Sequence, residues 1–207
     1  MPILGGAMVI AGVLSLLGLM VVVGSLGYLH LAPTGLSPVR NAVSQYGITS
    51  FRAGYRVATI ALGVAGVALA VGLDRALSSH GRSAVVAGLV VFALARGAIS
   101  WFPMDAPGST RTTTGQLHGL LATVAFAAVT FDAFRLGGVI SSRPSWQGLA
   151  PASTALGVAM LACLLGMLLA GANPAVRERF GAIERGFYLA AITWFAVFGI
   201  ACATGPR

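Results

Sequence analysis

The chain has 207 residues, of which 57% are hydrophobic and 9% charged, and its mean hydropathy is +0.89. A water-soluble domain carries about 25% charged residues to solvate its surface, so a water-facing globule is excluded and the bilayer is the expected solvent. All thirteen basic residues are arginine and five residues are acidic, for a net charge of +8; scattered singly over short loops, they are assigned to lipid headgroups rather than to nucleic acid.

A membrane-crossing helix needs about 20 mainly apolar residues. Six segments qualify, so the predicted fold class is all-α, a polytopic integral membrane bundle of six transmembrane helices in a single domain over residues 1–207. The first span is read at 4–31. It lacks a basic leader and is too long for a signal-peptide core, so it is taken as a retained helix. Pro33, Gly35 and Pro38 end it. The second span, 52–73, carries Ala61, Ala65, Gly66 and Ala70, small residues that let membrane helices approach closely. Asp74 and Arg75, then Ser78 to Arg82, separate it from the third span at 83–102. A loop rich in Pro, Gly, Ser and Thr, 103–114, leads to the fourth span at 117–136. The fifth and sixth are read at 148–171 and 183–204, with breaks at 137–147 and 173–181.

Tyr28, Trp101, Phe102, Trp146 and Tyr188 fall near span ends, where amphipathic rings anchor at the interface. Trp194 falls mid-span, with lipid contact or packing as its expected role. Cys163 and Cys202 sit at depths differing by roughly 20 Å along their helices, too far apart for a disulfide. Six spans put both termini on one face, expected to be cytoplasmic. Arginine bias does not decide this: Arg75, Arg82, Arg135, Arg143 and Arg207 fall on that face, and Arg40, Arg52, Arg111, Arg177 and Arg179 on the other, with Arg185 at its edge. An inverted three-plus-three repeat finds no convincing internal match.

The polar residues are concentrated on the face opposite the termini. There the first, third and fifth loops gather His30, Asn41, Ser44, Tyr46, Arg56, Arg96, Asp105, His118, Glu184 and Arg185. Ionisable groups at membrane depth are costly and mark functional sites by default. Arg96 lies about six residues, roughly 9 Å, inside its helix and needs a partner: Asp105 or Glu184 in a structural ion pair, or with Arg56 an anionic headgroup. Arg52 and Arg56 are one turn apart and share a helix face. Asp105 can orient His118, which can then activate Ser44 as a nucleophile. Equally, Ser44 can cap a short helix and Asp105 close a turn. His30, Asp105 and His118 are a plausible zinc or iron set by ligand type, without signature spacing. A bis-histidine haem would use His30 and His118, since His80 falls in the second loop on the other face. Asp132, near the opposite end of its span, is set aside as a partner for Arg135.

The loop motifs resemble those of the domain-of-unknown-function 998 family. The matching residues are Ser44, Tyr46 and Gly47 after the first span, Phe102, Pro103 and Asp105 after the third, and Gly115 and His118 opening the fourth. Met104 and Ala106 flank the aspartate, where many members carry threonine and proline. The resemblance covers nearly the whole chain and implies a small, six-span prokaryotic inner-membrane protein. A looser similarity to intramembrane metal-dependent hydrolases of the ceramidase and adiponectin-receptor type stops at the last two spans, which carry no histidine.

The leading expectation is binding or transport of a small amphiphile or lipid headgroup in a polar cavity. Arg56, Arg96, Asn41, Tyr46, Glu184 and Arg185 would line it, with Asp105 and His118 supplying hydrogen bonds or proton exchange. The alternatives are a metal-dependent hydrolase or lipid-modifying enzyme using Asp105, His118 and Ser44, and a structural subunit. No cofactor is identified, membrane lipids are the expected partners, and oligomeric state is left open.

Overall fold

The computed structural model describes residues 2–77 and 79–205, without the side chains of residues 2–4, 79 and 80. Ser78 and Arg207 therefore lie outside the described residues, as does the His80 side chain. Six long helices carry the fold: α1 (Pro2–Leu31), α2 (Arg52–Ala76), α3 (Ser79–Ala98), α4 (Thr113–Ile140), α5 (Ala150–Leu169) and, after the single turn α6 (Pro174–Arg177), α7 (Phe180–Thr204). All six are long and apolar enough to cross a bilayer, and no strand occurs among the described residues.

The expected spans are all present, and several of their ends differ by a few residues. α4 begins at Thr113 rather than at 117 because the Thr112 hydroxyl caps it, accepting from the Gly115 backbone N–H at 3.1 Å. α7 starts at Phe180 rather than at 183. The last turn of the third span tightens into a 3₁₀ turn over Ile99–Trp101.

Each helix packs on its neighbour in sequence from α1 to α5, and α7 closes the ring by packing on both α5 and α1. Small residues permit the tight crossings. A Cβ placed on Gly12 would run into the backbone of Ala203 and Gly199 on α7, so α1 and α7 cross nearly backbone to backbone. The small face of α2 does likewise, with Ala61 and Ala65 against Gly18 and Gly66 against Phe92 and Ala93.

The core is aromatic, built from Phe92, Phe126, Phe187, Phe195, Phe198 and Trp194. Trp194 is wholly buried rather than lipid-facing. Its indole N–H donates to Ser153 Oγ at 2.9 Å, and that hydroxyl donates to the Ala133 carbonyl at 2.7 Å. A polar pin thus joins α7, α5 and α4, each buried polar group satisfied. Trp146 and Tyr188 are also buried, whereas Tyr28 and Trp101 remain exposed in the expected belt. Outside, Leu94, Leu120, Leu168 and Leu189 present an apolar surface suited to lipid. Between α1 and α2 that surface is indented by a wholly apolar groove of about 780 Å³.

Candidate functional site

The first, third and fifth loops meet on one face, where each is folded by its own polar residues. Arg185, near the start of α7, holds the first loop. Its guanidinium donates to His30 Nε2 at 2.7 Å, to the Asn41 carbonyl at 2.8 Å, to the Tyr46 hydroxyl at 3.2 Å and to the Gly181 carbonyl at 3.0 Å, and it stacks on the Tyr46 ring. The Asn41 side chain is engaged within the loop, accepting from the Ser37 N–H and donating to Gln45. His30, Asn41, Tyr46 and Arg185 therefore form a closed structural cluster, and none of them lines the two loop-face cavities described below.

The third loop is folded by Asp105. Its carboxylate accepts from the Thr112 hydroxyl at 2.6 Å and the Thr112 backbone N–H at 3.0 Å. It lies directly over Gly115, where any Cβ would clash with it. The bonds from Thr112, hydroxyl first, hold this carboxyl below the usual carboxylate range. Its charge also sits at the positive end of α4.

His118, one turn further along α4, bonds the Phe102 carbonyl through Nδ1 at 2.7 Å. A carbonyl only accepts, so Nδ1 carries the proton and Nε2 is left as an acceptor. The expected hydrogen bond between Asp105 and His118 is thus replaced by two separate clamps on the third loop. Ser44 does not meet His118 either; its hydroxyl donates to Met104 Sδ at 3.2 Å. The Ser-His-Asp arrangement is not formed.

The metal set does not assemble. His30 donates from Nδ1 to the Leu26 carbonyl at 2.6 Å and accepts from Arg185 at Nε2, which leaves no ring lone pair for a ligand bond. Among the described residues, no group of three His, Cys, Asp or Glu side chains is placed to hold a metal. On the opposite face Asp132 is buried in the bundle against Gly88, with neither carboxylate oxygen hydrogen-bonded. The expected pairing with Arg135 is absent; the ion-paired carboxylates are Asp74 with Arg75 and Arg82, and Glu178 with Arg40.

Two cavities open beneath the loops, separated by Ser44, Met104 and His118, which line both. The larger, about 550 Å³, lies between α2, the 99–101 turn and the start of α4. Arg52 and Arg56 stand on its α2 wall, with Arg56 over the Trp101 ring at 5.7 Å. Tyr55 and Ser100 line it deeper in. The smaller, about 410 Å³, lies against α4 and α5, with Arg40, Arg177 and Glu184 on its walls. Glu184 is 5% exposed and accepts from the Val43 backbone N–H at 2.7 Å.

Arg96 is 2% exposed and points into the bundle. It does not pair with Asp105 or Glu184 at ion-pair distance. Instead one terminal nitrogen donates to the Tyr188 hydroxyl at 2.9 Å, with the guanidinium over the Tyr188 ring. Its Nε–H has no partner, and neither do the hydroxyls of Tyr55 and Ser100.

Tyr55 and Ser100 escaped the sequence reading. The available signals were the four-residue spacing of Arg96 on α3 and Ser100 in the 99–101 turn, and the one-turn spacing of Arg52, Tyr55 and Arg56 on α2.

The family model described as "Protein of unknown function (DUF998)" matches residues 16–201, and the chain belongs to that family. No curated protein and no solved structure matches it.

Proposed function

We propose that this DUF998 protein binds, and in the membrane presents or moves, a small amphiphile whose polar head enters the larger loop-face cavity from the lipid side. The observation that carries this reading is the unfinished hydrogen bonding at that cavity. Tyr55 and Ser100 line it with buried hydroxyls that lack partners, and Arg96, which lines neither cavity, sets its guanidinium beside Tyr55. A structural network closes on itself, as the Arg185 cluster does. Buried polar atoms left open beside a cavity indicate a bound group that completes them. Arg52 and Arg56 add positive charge for an anionic head.

The reading places the protein in a prokaryotic cell membrane with its termini in the cytoplasm and the cavity opening to the other side. The hydrolase alternative has no supporting contact, since Asp105 and His118 are each engaged by loop atoms. The test is native mass spectrometry of the protein released from mild detergent, with wild type and the double variant Arg52→Ala, Arg56→Ala compared. The wild type should retain one acidic lipid-like adduct that the variant loses. Identical adduct patterns would remove the cavity from the account.

A further inference from the structure

Resting on the reading that the larger cavity takes an amphiphile, we infer that its floor is a phosphate site. The Tyr55 and Ser100 hydroxyls donate there to the oxygens of a phosphomonoester carried on a single apolar chain, and the Arg96 guanidinium beside Tyr55 adds positive charge.

The three groups are one unit. Arg96 on α3 and Ser100 in the 99–101 turn are four residues apart. Tyr55 reaches across from α2 so that its hydroxyl faces the Arg96 guanidinium directly, and His118 lies within range of the same charge. Tyr55 and Ser100 line the cavity, and Tyr55 is only 4% exposed.

The chemistry of the ligand follows from the donors. A hydroxyl both donates and accepts, and the Tyr55 and Ser100 hydroxyls turn to donate when an acceptor arrives. No carboxylate lines this cavity, while Arg52 and Arg56 do, so the acceptor is anionic. A phosphomonoester brings about two negative charges to Arg52, Arg56 and Arg96, where a carboxylate brings one. His118 Nε2, free to accept, meets a P–OH or a water on the phosphate. The apolar chain leaves past Val57, Ile60 and Trp101. Val57 and Trp101 are 47% and 58% exposed, on the apolar exterior that faces lipid.

The test is binding of dodecyl phosphate to the purified protein in a non-ionic detergent, against inorganic phosphate. The variants are Tyr55→Phe and Ser100→Ala. Each removes an unpartnered hydroxyl, so ligand-free melting should be unchanged or higher. Each should weaken dodecyl phosphate binding about tenfold to a hundredfold, the effect of one hydrogen bond to a charged group, and inorganic phosphate should bind far more weakly than the alkyl ester.

Tight dodecyl phosphate binding that neither variant weakens overturns the floor assignment and leaves the amphiphile reading standing. Inorganic phosphate binding as tightly as the ester, with both weakened by the variants, supports the phosphate site with a free anion as its source and overturns the amphiphile reading. Binding of neither overturns both.

Discussion

Replacing Arg185 by methionine, which keeps most of the side-chain volume but removes the guanidinium, should unfasten the first loop from α7. Three bonds run from this residue to other elements: to His30 on α1, and to the Asn41 carbonyl and the Tyr46 hydroxyl in the loop. Hydrogen bonds from a charged donor contribute about 1.5–3 kcal/mol each when well buried. Arg185 is only half-buried, so solvent screening lowers each to about 1 kcal/mol. The expected loss is then about 3 kcal/mol, or roughly 6–12 °C in melting temperature for a chain of this size. The assay is a thermal melt in detergent, monitored by the release of buried tryptophan. Arg179→Met is the control, because Arg179 is exposed and its side chain makes no bond among the described residues. Adding Tyr46→Phe to Arg185→Met should cost less than it does alone, since the two share an interaction. A melting shift for Arg185→Met no larger than the control's would refute the idea that this cluster holds the loop.

Gly12→Leu should separate α1 from α7 and destabilise the bundle by at least about 1–3 kcal/mol, as overpacking does; unchanged melting would mean the helices do not cross so closely. Ser153→Ala leaves the buried Trp194 N–H unpaired and should cost about 1–3 kcal/mol, readable as a shift in tryptophan fluorescence together with lower melting. Asp132→Leu, of similar shape, removes two buried oxygens that lack a hydrogen bond and should raise stability by about 1–3 kcal/mol, whereas lower melting would reveal a partner for the carboxyl group. The Asp105 carboxyl is held below its ordinary value of about 3.9, so its contribution is present above that value and is lost as pH falls further, through the folded-state value. Protease cleavage of the 103–112 loop should therefore rise only below about pH 4, and Asp105→Asn should remove that step.

The spans were legible because hydropathy over some twenty residues averages out local noise. Their ends were not, since a cap such as Thr112 turns polar residues into helix. At the loop face, Arg56, Arg96 and His118 stood out as ionisable groups at membrane depth, and the structure places Arg56 and His118 on the larger cavity and buries Arg96 in the bundle. Asn41, Tyr46 and Arg185 stood out for the same reason yet close on one another, a difference that depends on three-dimensional neighbours. Asp105 and His118 read as partners because a loop and a helix start could bring them together. The structure uses both to fold one loop, and Gly115 is the clue in retrospect, because only a residue without Cβ admits the carboxylate there. Tyr55 and Ser100 carried no signal of their own, since a tyrosine and a serine near a span end are ordinary.

The most direct test is an experimental structure of the protein in nanodiscs with dodecyl phosphate. The account requires density in the cavity between α2 and the 99–101 turn, with its head within hydrogen-bonding distance of Tyr55 and Ser100. Density confined to the apolar groove between α1 and α2 would contradict it.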